Sequence, residues 1–178
     1  VEARNGDVAI FQTCLVEYQN PNVGKAAVGV LEHNGIACDA PDGTVCCGMP
    51  WLDAGNTDAF LKQAEKNVRI LAEQARQGKD ILVLQPTCGY VLKKEYPDYL
   101  GGEDARLVAD NTYDISEYLM NVHNAEGKGL NTAFSGSKPK TITWHQPCHL
   151  RAQTVGLLGR ELMKLIGAKV VVVDKCSG

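Results

Sequence analysis

Long apolar runs are missing from this chain. None approaches the roughly 18 consecutive apolar residues of a membrane span, so direct membrane insertion is not expected. Aromatic side chains are only 6% of the 178 residues, too few for a surface that stacks bases. Positive charge is not in excess either. Lys and Arg number 18 against 21 Asp and Glu, and the formal net charge of −3 argues against nucleic-acid binding. G-x-G-x-x-G and G-x-x-x-x-G-K-[ST] are absent, so no nucleotide loop is visible. Val1 to Asp7 is polar and does not read as a signal peptide. A reducing, cytoplasmic setting is therefore expected, peripheral to the inner membrane only through partners. With 44% hydrophobic residues, disorder is excluded and a real core is expected. The end at Cys176-Ser177-Gly178, directly after an apolar run, suggests a piece of a longer protein.

Cysteine is what the chain has in unusual supply: Cys14, Cys38, Cys46, Cys47, Cys88, Cys148 and Cys176. No two are spaced C-x-x-C, which argues against a zinc ribbon, a thioredoxin motif and a ferredoxin run. Without an oxidising compartment they read as thiols or metal ligands.

Strand and helix signals alternate, which points to an α/β fold with a mostly parallel sheet. Strands are expected at Val8 to Gln12, Ile36 to Ala40, Ile81 to Leu84, Thr141 to Trp144 and Lys169 to Val173. Asn20-Pro21 opens a helix that can run to Asn34, with Gly35 at its left-handed end. Thr57 to Gln77 is the strongest helix, with Phe60, Leu61, Ala64, Val68, Leu71 and Ala75 on one face. Asp114 with Glu117 resembles a capping box for a helix to about Val122. A further helix is expected around Thr154 to Ile166, ended by Gly167. Asn124 to Lys140 is rich in Gly, Ser, Asn and Lys and reads as a loop.

Two segments look like copies of one unit. In the first, a strand, Cys14, a helix, Gly35, a strand and Cys46-Cys47-Gly48 follow one another, with 31 residues between Cys14 and Cys46. In the second, a strand, Cys148, a helix, Gly167, a strand and Cys176-Ser177-Gly178 do the same, with 27 residues between Cys148 and Cys176. Cys14, Cys88 and Cys148 each sit just past a strand. The carboxyl ends of parallel strands face one edge of an open sheet, where ligands bind, so such cysteines can converge without any local spacing rule. A disulfide between neighbours Cys46 and Cys47 would close a strained ring, whereas two adjacent thiolates can reach different irons of one cluster or share one. Gly48 lets the backbone approach a bound group closely. Buried free cysteines explain one or two of the seven, but not four that end strands or form a doublet. Cys14, Cys46, Cys47 and Cys88 are therefore the candidate metal ligands, joined by Cys148 and Cys176 of the second copy. Cys38, inside a strand, reads as an inert core thiol.

C-x31-C-C-G followed by a cysteine 40 residues after Gly48 resembles the CCG cysteine-rich domain family. That domain occurs in iron–sulfur subunits of heterodisulfide reductase, glycolate oxidase and anaerobic glycerol-3-phosphate dehydrogenase. The similarity is greatest to the last of these. Phe11-Gln-Thr-Cys14, Cys46-Cys-Gly-Met-Pro50, Gln85-Pro-Thr-Cys-Gly-Tyr90 with Leu92-Lys-Lys-Glu-Tyr-Pro97, and His145-Gln-Pro-Cys-His-Leu-Arg151 all carry it. The resemblance implies two Rossmann-like strand–helix–strand CCG repeats: residues 1–123 with a helical extension, a linker at 124–140, and a truncated second repeat at 141–178. It implies a [4Fe–4S] cluster, a flavin-containing dehydrogenase subunit as partner, an upstream ferredoxin-like domain in the full-length protein, and electrons passed towards a quinone or other acceptor.

Val91 stands where the family's third element carries a second cysteine, and Ser177 stands where the second copy would have a doublet. A four-thiolate site therefore fits better than a five-cysteine non-cubane cluster. His149 can donate a hydrogen bond to a sulfur and tune its potential. His145 is similar, although a helix-end or loop histidine with a backbone partner is the simpler reading of both. Lys93, Lys94 and Arg151 can offset cluster charge, although a solvated helix face is their simpler reading, and core packing is the simpler reading of Trp51. Two functions compete with electron transfer. One is a heterodisulfide or quinone reductase that is catalytic at the cluster. The other is a zinc-binding structural module, with zinc acquired on aerobic purification.

Overall fold

The stretch Val-Ala-Ile-Phe has no polar member, as expected of a strand covered on both faces. It forms β1 (Val8–Phe11), all of it buried. The computed structural model describes residues 8–125 and 129–173. After β1 a π-helical turn, Leu15–Gln19, leads into α1 (Pro21–His33), whose first residue is the proline expected there. Gly35 takes φ 70°, and the chain enters β2 (Cys38–Asp39), shorter than the expected Ile36 to Ala40. A short α2 (Met49–Asp53) precedes α3 (Thr57–Arg76), which Asn56 caps through its side chain. β3 (Asp80–Val83) follows.

The next stretch carries structure that the sequence periodicity does not announce. It comprises α4 (Pro86–Tyr90), a π-helical turn at Val91–Glu95, α5 (Tyr96–Leu100), α6 (Gly102–Asp110) and β4 (Thr112–Asp114). The expected capping box is present. The Ser116 backbone N–H donates to Asp114 Oδ1 at 2.9 Å and the Asp114 N–H to Glu117 Oε2 at 3.2 Å, at the head of α7 (Ile115–Asn124).

β5 (Thr141–Trp144), α8 (Cys148–Ala152), α9 (Leu158–Leu165) and β6 (Lys169–Val172) complete the described chain. The helix expected from Thr154 begins instead at Leu158. Thr154 has φ 58°, a left-handed conformation that interrupts a right-handed helix.

The main sheet has the order β2-β1-β3-β4, all parallel, with Val8 opposite Cys38 and Asp80, and Ile81 opposite Thr112. A second, two-stranded sheet pairs β5 with β6 in parallel, Thr141 opposite Lys169. The fold is thus α/β with parallel sheets. Strand side chains alternate between faces. Phe11, Ile81 and Val83 pack with Phe60 and Leu71 of α3 and with Leu92, Tyr96 and Val108. Val8, Ile10 and Leu82 pack on the opposite face with Leu31 of α1 and with Tyr118 and Leu119 of α7. Both faces of β1 and β3 are therefore covered, and the free space lies off the strand ends. The order 2-1-3 reverses direction between β1 and β3, and the crevice at the carboxyl ends of such strands is where open sheets bind ligands.

Candidate metal centre

That crevice holds the cysteines. Cys14 lies three residues past the end of β1 and leads the π-helical turn Leu15–Gln19, while Cys88 lies in α4, five past β3. Because β1 and β3 are neighbours in register, the two cysteines emerge at the same edge. The doublet comes from the other side, off the loop before α2. The four thiols form a row in which Cys14 neighbours Cys46, Cys46 neighbours Cys47, and Cys47 neighbours Cys88. Cys88 Sγ also donates to Gln85 Oε1 at 2.8 Å. The row runs from the interior to the surface: Cys88 and Cys47 are buried, Cys46 is half-buried and Cys14 is exposed.

Cys14, Cys46 and Cys47 hold their protons tightly. For Cys46, the contact with Cys47 and then burial push the pKa far up. For Cys47, the contact with Cys46 pulls the pKa down, but the contacts with Cys88 and burial outweigh it and leave it at about 12. Cys14 is raised by burial and by the neighbouring Cys46. Backbone N–H groups oppose this: that of Gly48 faces Cys46, that of Met49 faces Cys47 and that of Leu15 faces Cys14. Even with these amide dipoles turned on them, thiols crowded together make a site that is unfavourable for bare thiolates. A bound cationic centre relieves the crowding, since a coordinating thiol is deprotonated outright.

The doublet turn is held from behind by two side chains that sequence reasoning missed. Asn67 of α3 is fully buried. Its Oδ1 accepts from the Val45 N–H at 2.8 Å, and its Nδ2 donates to the Val45 carbonyl at 3.1 Å, the Cys46 carbonyl at 3.2 Å and the Tyr96 hydroxyl at 3.0 Å. Tyr96, buried among the core aromatics, donates its hydroxyl to the Cys47 carbonyl at 2.9 Å. Burial keeps that hydroxyl protonated by pushing its pKa well up. A signal for Asn67 was available. It is the polar member of the apolar face formed by Phe60, Ala64, Val68 and Leu71, and a buried amide in that position needs partners.

Gly48 closes the turn. Its φ is 94°, and a Cβ there would stand 2.7 Å from Cδ2 of the buried Phe60 ring. Only glycine meets both conditions.

The remaining sequence candidates fall differently. Cys148 opens α8, which packs on α4. His149 Nδ1 lies 3.0 Å from the Thr87 hydroxyl, one residue before Cys88, and the His149 ring stacks on Tyr90 with centroids 5.1 Å apart. Gln153 Nε2 donates to the Pro86 carbonyl at 2.9 Å and the His149 carbonyl at 3.2 Å. A Cβ on Gly89 would stand 3.2 Å from that amide, so the helices meet closely. Cys176 and Ser177 lie outside the described residues. Cys38 is half-buried against the core on the far face, away from the row. Val91 is buried in the core, with no thiol to offer. Lys93 is neither solvated nor at the cysteines. It pairs with Glu117 at 2.5 Å and lies over the Tyr113 ring. Trp51 is 45% exposed rather than in the core.

Residues 8–93 match the family model described as CCG, cysteine-rich domain. The chain is 36% identical over 178 residues to a subunit of fumarate reductase (CoM/CoB) from Methanothermobacter marburgensis, covering 96% of this chain and 32% of that one. It is 30% identical over 183 residues to an uncharacterized iron-sulfur protein of Methanococcus maripaludis, covering 100% and 33%. It is 31% identical over 174 residues to a subunit of anaerobic glycerol-3-phosphate dehydrogenase from Escherichia coli K12, covering 96% and 43%. The chain thus spans between about a third and two-fifths of the length of these relatives. No described helix is long and apolar enough to cross a membrane.

Proposed function

The chain belongs to the CCG family of cysteine-rich domains, and from that premise we propose that it is an electron-transfer module of an iron–sulfur oxidoreductase. The observation that carries the reading is the row of four thiols at the carboxyl edge of β1 and β3.

The donor set fits a [4Fe–4S] cluster held by Cys14, Cys46, Cys47 and Cys88. Thiolates are soft ligands suited to iron–sulfur centres. Among the described residues, no three or more His, Cys, Asp or Glu side chains are arranged to hold a single metal ion. When bound, a fully thiolate-ligated cluster supplies reversible one-electron storage. The chain's own residues do the rest. Asn67 and Tyr96 fix the doublet backbone, and Gly48 allows it to turn. Phe60 and Tyr96 keep water from its inner side. Gly48, Met49 and Leu15 offer amide hydrogens to the sulfurs. Cys14 marks the surface end of the row, where an electron enters or leaves. The extra thiol that a reductase catalytic at the cluster would use is not supplied at position 91, where a buried Val stands.

Cys148 and Cys176 belong to a second ligand set. His149 reaches the first through Thr87, the neighbour of Cys88. The electron donor is a flavin-containing dehydrogenase subunit, each two-electron oxidation being passed on in single steps towards a quinone or other acceptor. An upstream ferredoxin-like domain and contact with the inner membrane through partners complete this picture.

Anaerobic reconstitution with iron and sulfide tests the reading. The chain should gain the visible charge-transfer absorption of an iron–sulfur cluster. It should cycle reversibly between dithionite-reduced and reoxidised forms with an EPR signal in the reduced one, and show no dehydrogenase turnover alone. A colourless chain that instead takes up zinc stoichiometrically would favour the structural module.

A further inference from the structure

The peptide joining Cys47 to Gly48 has two ends with different partners. Its carbonyl oxygen accepts the Tyr96 hydroxyl at 2.9 Å. Its N–H, on the opposite side of the same plane, faces the Cys46 sulfur. Tyr96 in turn accepts from Asn67 Nδ2 at 3.0 Å. The line therefore runs amide, hydroxyl, carbonyl, N–H, sulfur. We propose that Tyr96 is a positioning residue that sets the electron affinity of the cluster, by donating its hydroxyl into the Cys47–Gly48 peptide, whose N–H faces the Cys46 sulfur.

The inference rests on the cluster assignment above and adds to it a means of control. Hydrogen bonds arranged in a line polarise one another. A proton donated to the carbonyl draws electron density along the amide and makes its N–H a better donor. Hydrogen bonds to cluster sulfurs stabilise the reduced, more negative state and so raise the potential. Tyr96 suits this role because it is fully buried, so its bond does not compete with water. Asn67 holds the hydroxyl oxygen from the other side, so its proton stays aimed at the carbonyl. Outer partners of this kind tune metal sites without touching them.

Two changes at this position move the hydroxyl's donor strength in opposite directions while keeping the ring. Tyr96→Phe removes the donor and leaves the ring that packs 6.0 Å from Phe60. A 3-fluorotyrosine installed at position 96 alone makes the hydroxyl a stronger donor. The reconstituted proteins are compared by potentiometric titration, with iron content measured in each and Tyr118→Phe as a control. The expected result is a shift to more negative potential in Tyr96→Phe, a shift to more positive potential with fluorotyrosine, and no shift in the control. Unchanged potential in both variants at wild-type iron content would overturn the proposal. So would shifts of the same sign, which would mean that the turn has merely moved. So would loss of iron from Tyr96→Phe, which would make Tyr96 a scaffold for ligation. Failure of the wild-type chain to take up a cluster would instead sink the cluster assignment. In that case hydrogen exchange of the Gly48 amide in the metal-free chain decides on the relay: faster exchange in Tyr96→Phe and slower exchange with fluorotyrosine support it, and any other pattern refutes it.

Discussion

Replacing Gly48 by alanine tests the geometry of the doublet turn in the metal-free chain. Two costs add. The backbone at φ 94° is left-handed, which a residue with a Cβ adopts at a cost of about 1–2 kcal/mol. The new methyl would also lie 2.7 Å from Phe60 Cδ2, well inside contact distance. That ring cannot swing clear. It is fully buried and sits between Tyr96 at 6.0 Å and Tyr99 at 5.3 Å. Overpacking of this kind costs about 1–3 kcal/mol. Gly48→Ala should therefore destabilise the chain by about 2–5 kcal/mol, measured by urea denaturation. Phe60→Leu removes the ring edge, so the double variant should be more stable than the sum of the single effects by about 1–3 kcal/mol, the overlap part alone. Additive effects within about 0.5 kcal/mol would show that the ring is not what opposes the methyl, and a loss below about 1 kcal/mol for Gly48→Ala alone would show that the turn is not constrained.

Three other outcomes are expected. Leu71, fully buried where α3 meets the sheet, should cost about 2–5 kcal/mol on truncation to alanine, read as a lower urea midpoint. Asp114→Ala removes the cap of α7 and should cost about 0.5–2 kcal/mol, with Asp114→Asn recovering most of it. Burial, and then the charge of Asp80, push the Tyr118 pKa up to about 12, while an unfolded tyrosine ionises near 10. The folded state thus keeps a proton that the unfolded chain gives up. Stability from this residue is complete below about pH 10 and lost as the pH climbs to about 12, and the urea midpoint of Tyr118→Phe should fall less across that window.

The cysteine row was legible because its logic is topological. Cys14 and Cys88 come after apolar runs that can only be buried strands, and parallel strands deliver the residues beyond them to one edge. The doublet and Gly48 were legible as a turn. The groups that support the turn were not. Asn67 is separated from the doublet by about twenty residues, and its place on an apolar helix face says that the amide needs partners without saying which. The Tyr96 hydroxyl is a polar tip on an otherwise apolar ring, and nothing local says where it points. The stretch from Val91 to Asp114 escaped because the π-helical turn at Val91–Glu95 shifts the period in mid-helix, and Gly101-Gly102 then set apart a helix of only nine residues. The misplaced helix start at Thr154 has a different cause. Its threonine takes a left-handed turn that such a residue seldom adopts, and only tertiary contacts, such as Gln146 Nε2 donating to the Gly156 carbonyl at 2.8 Å, make that visible.

Iron per chain after anaerobic reconstitution of Cys47→Ser beside Cys38→Ser tests the central claim most directly. A serine oxygen is a far poorer ligand for iron–sulfur chemistry than a thiolate. Cys47 lies within the row, between Cys46 and Cys88, whereas Cys38 packs against the core on the other face of the sheet. The wild-type chain should take up about four irons through the four-thiol site. Cys38→Ser should match it, and Cys47→Ser should lose most or all of the iron. Equal iron in the two variants, or loss only from Cys38→Ser, would contradict the assignment of the row as the metal centre.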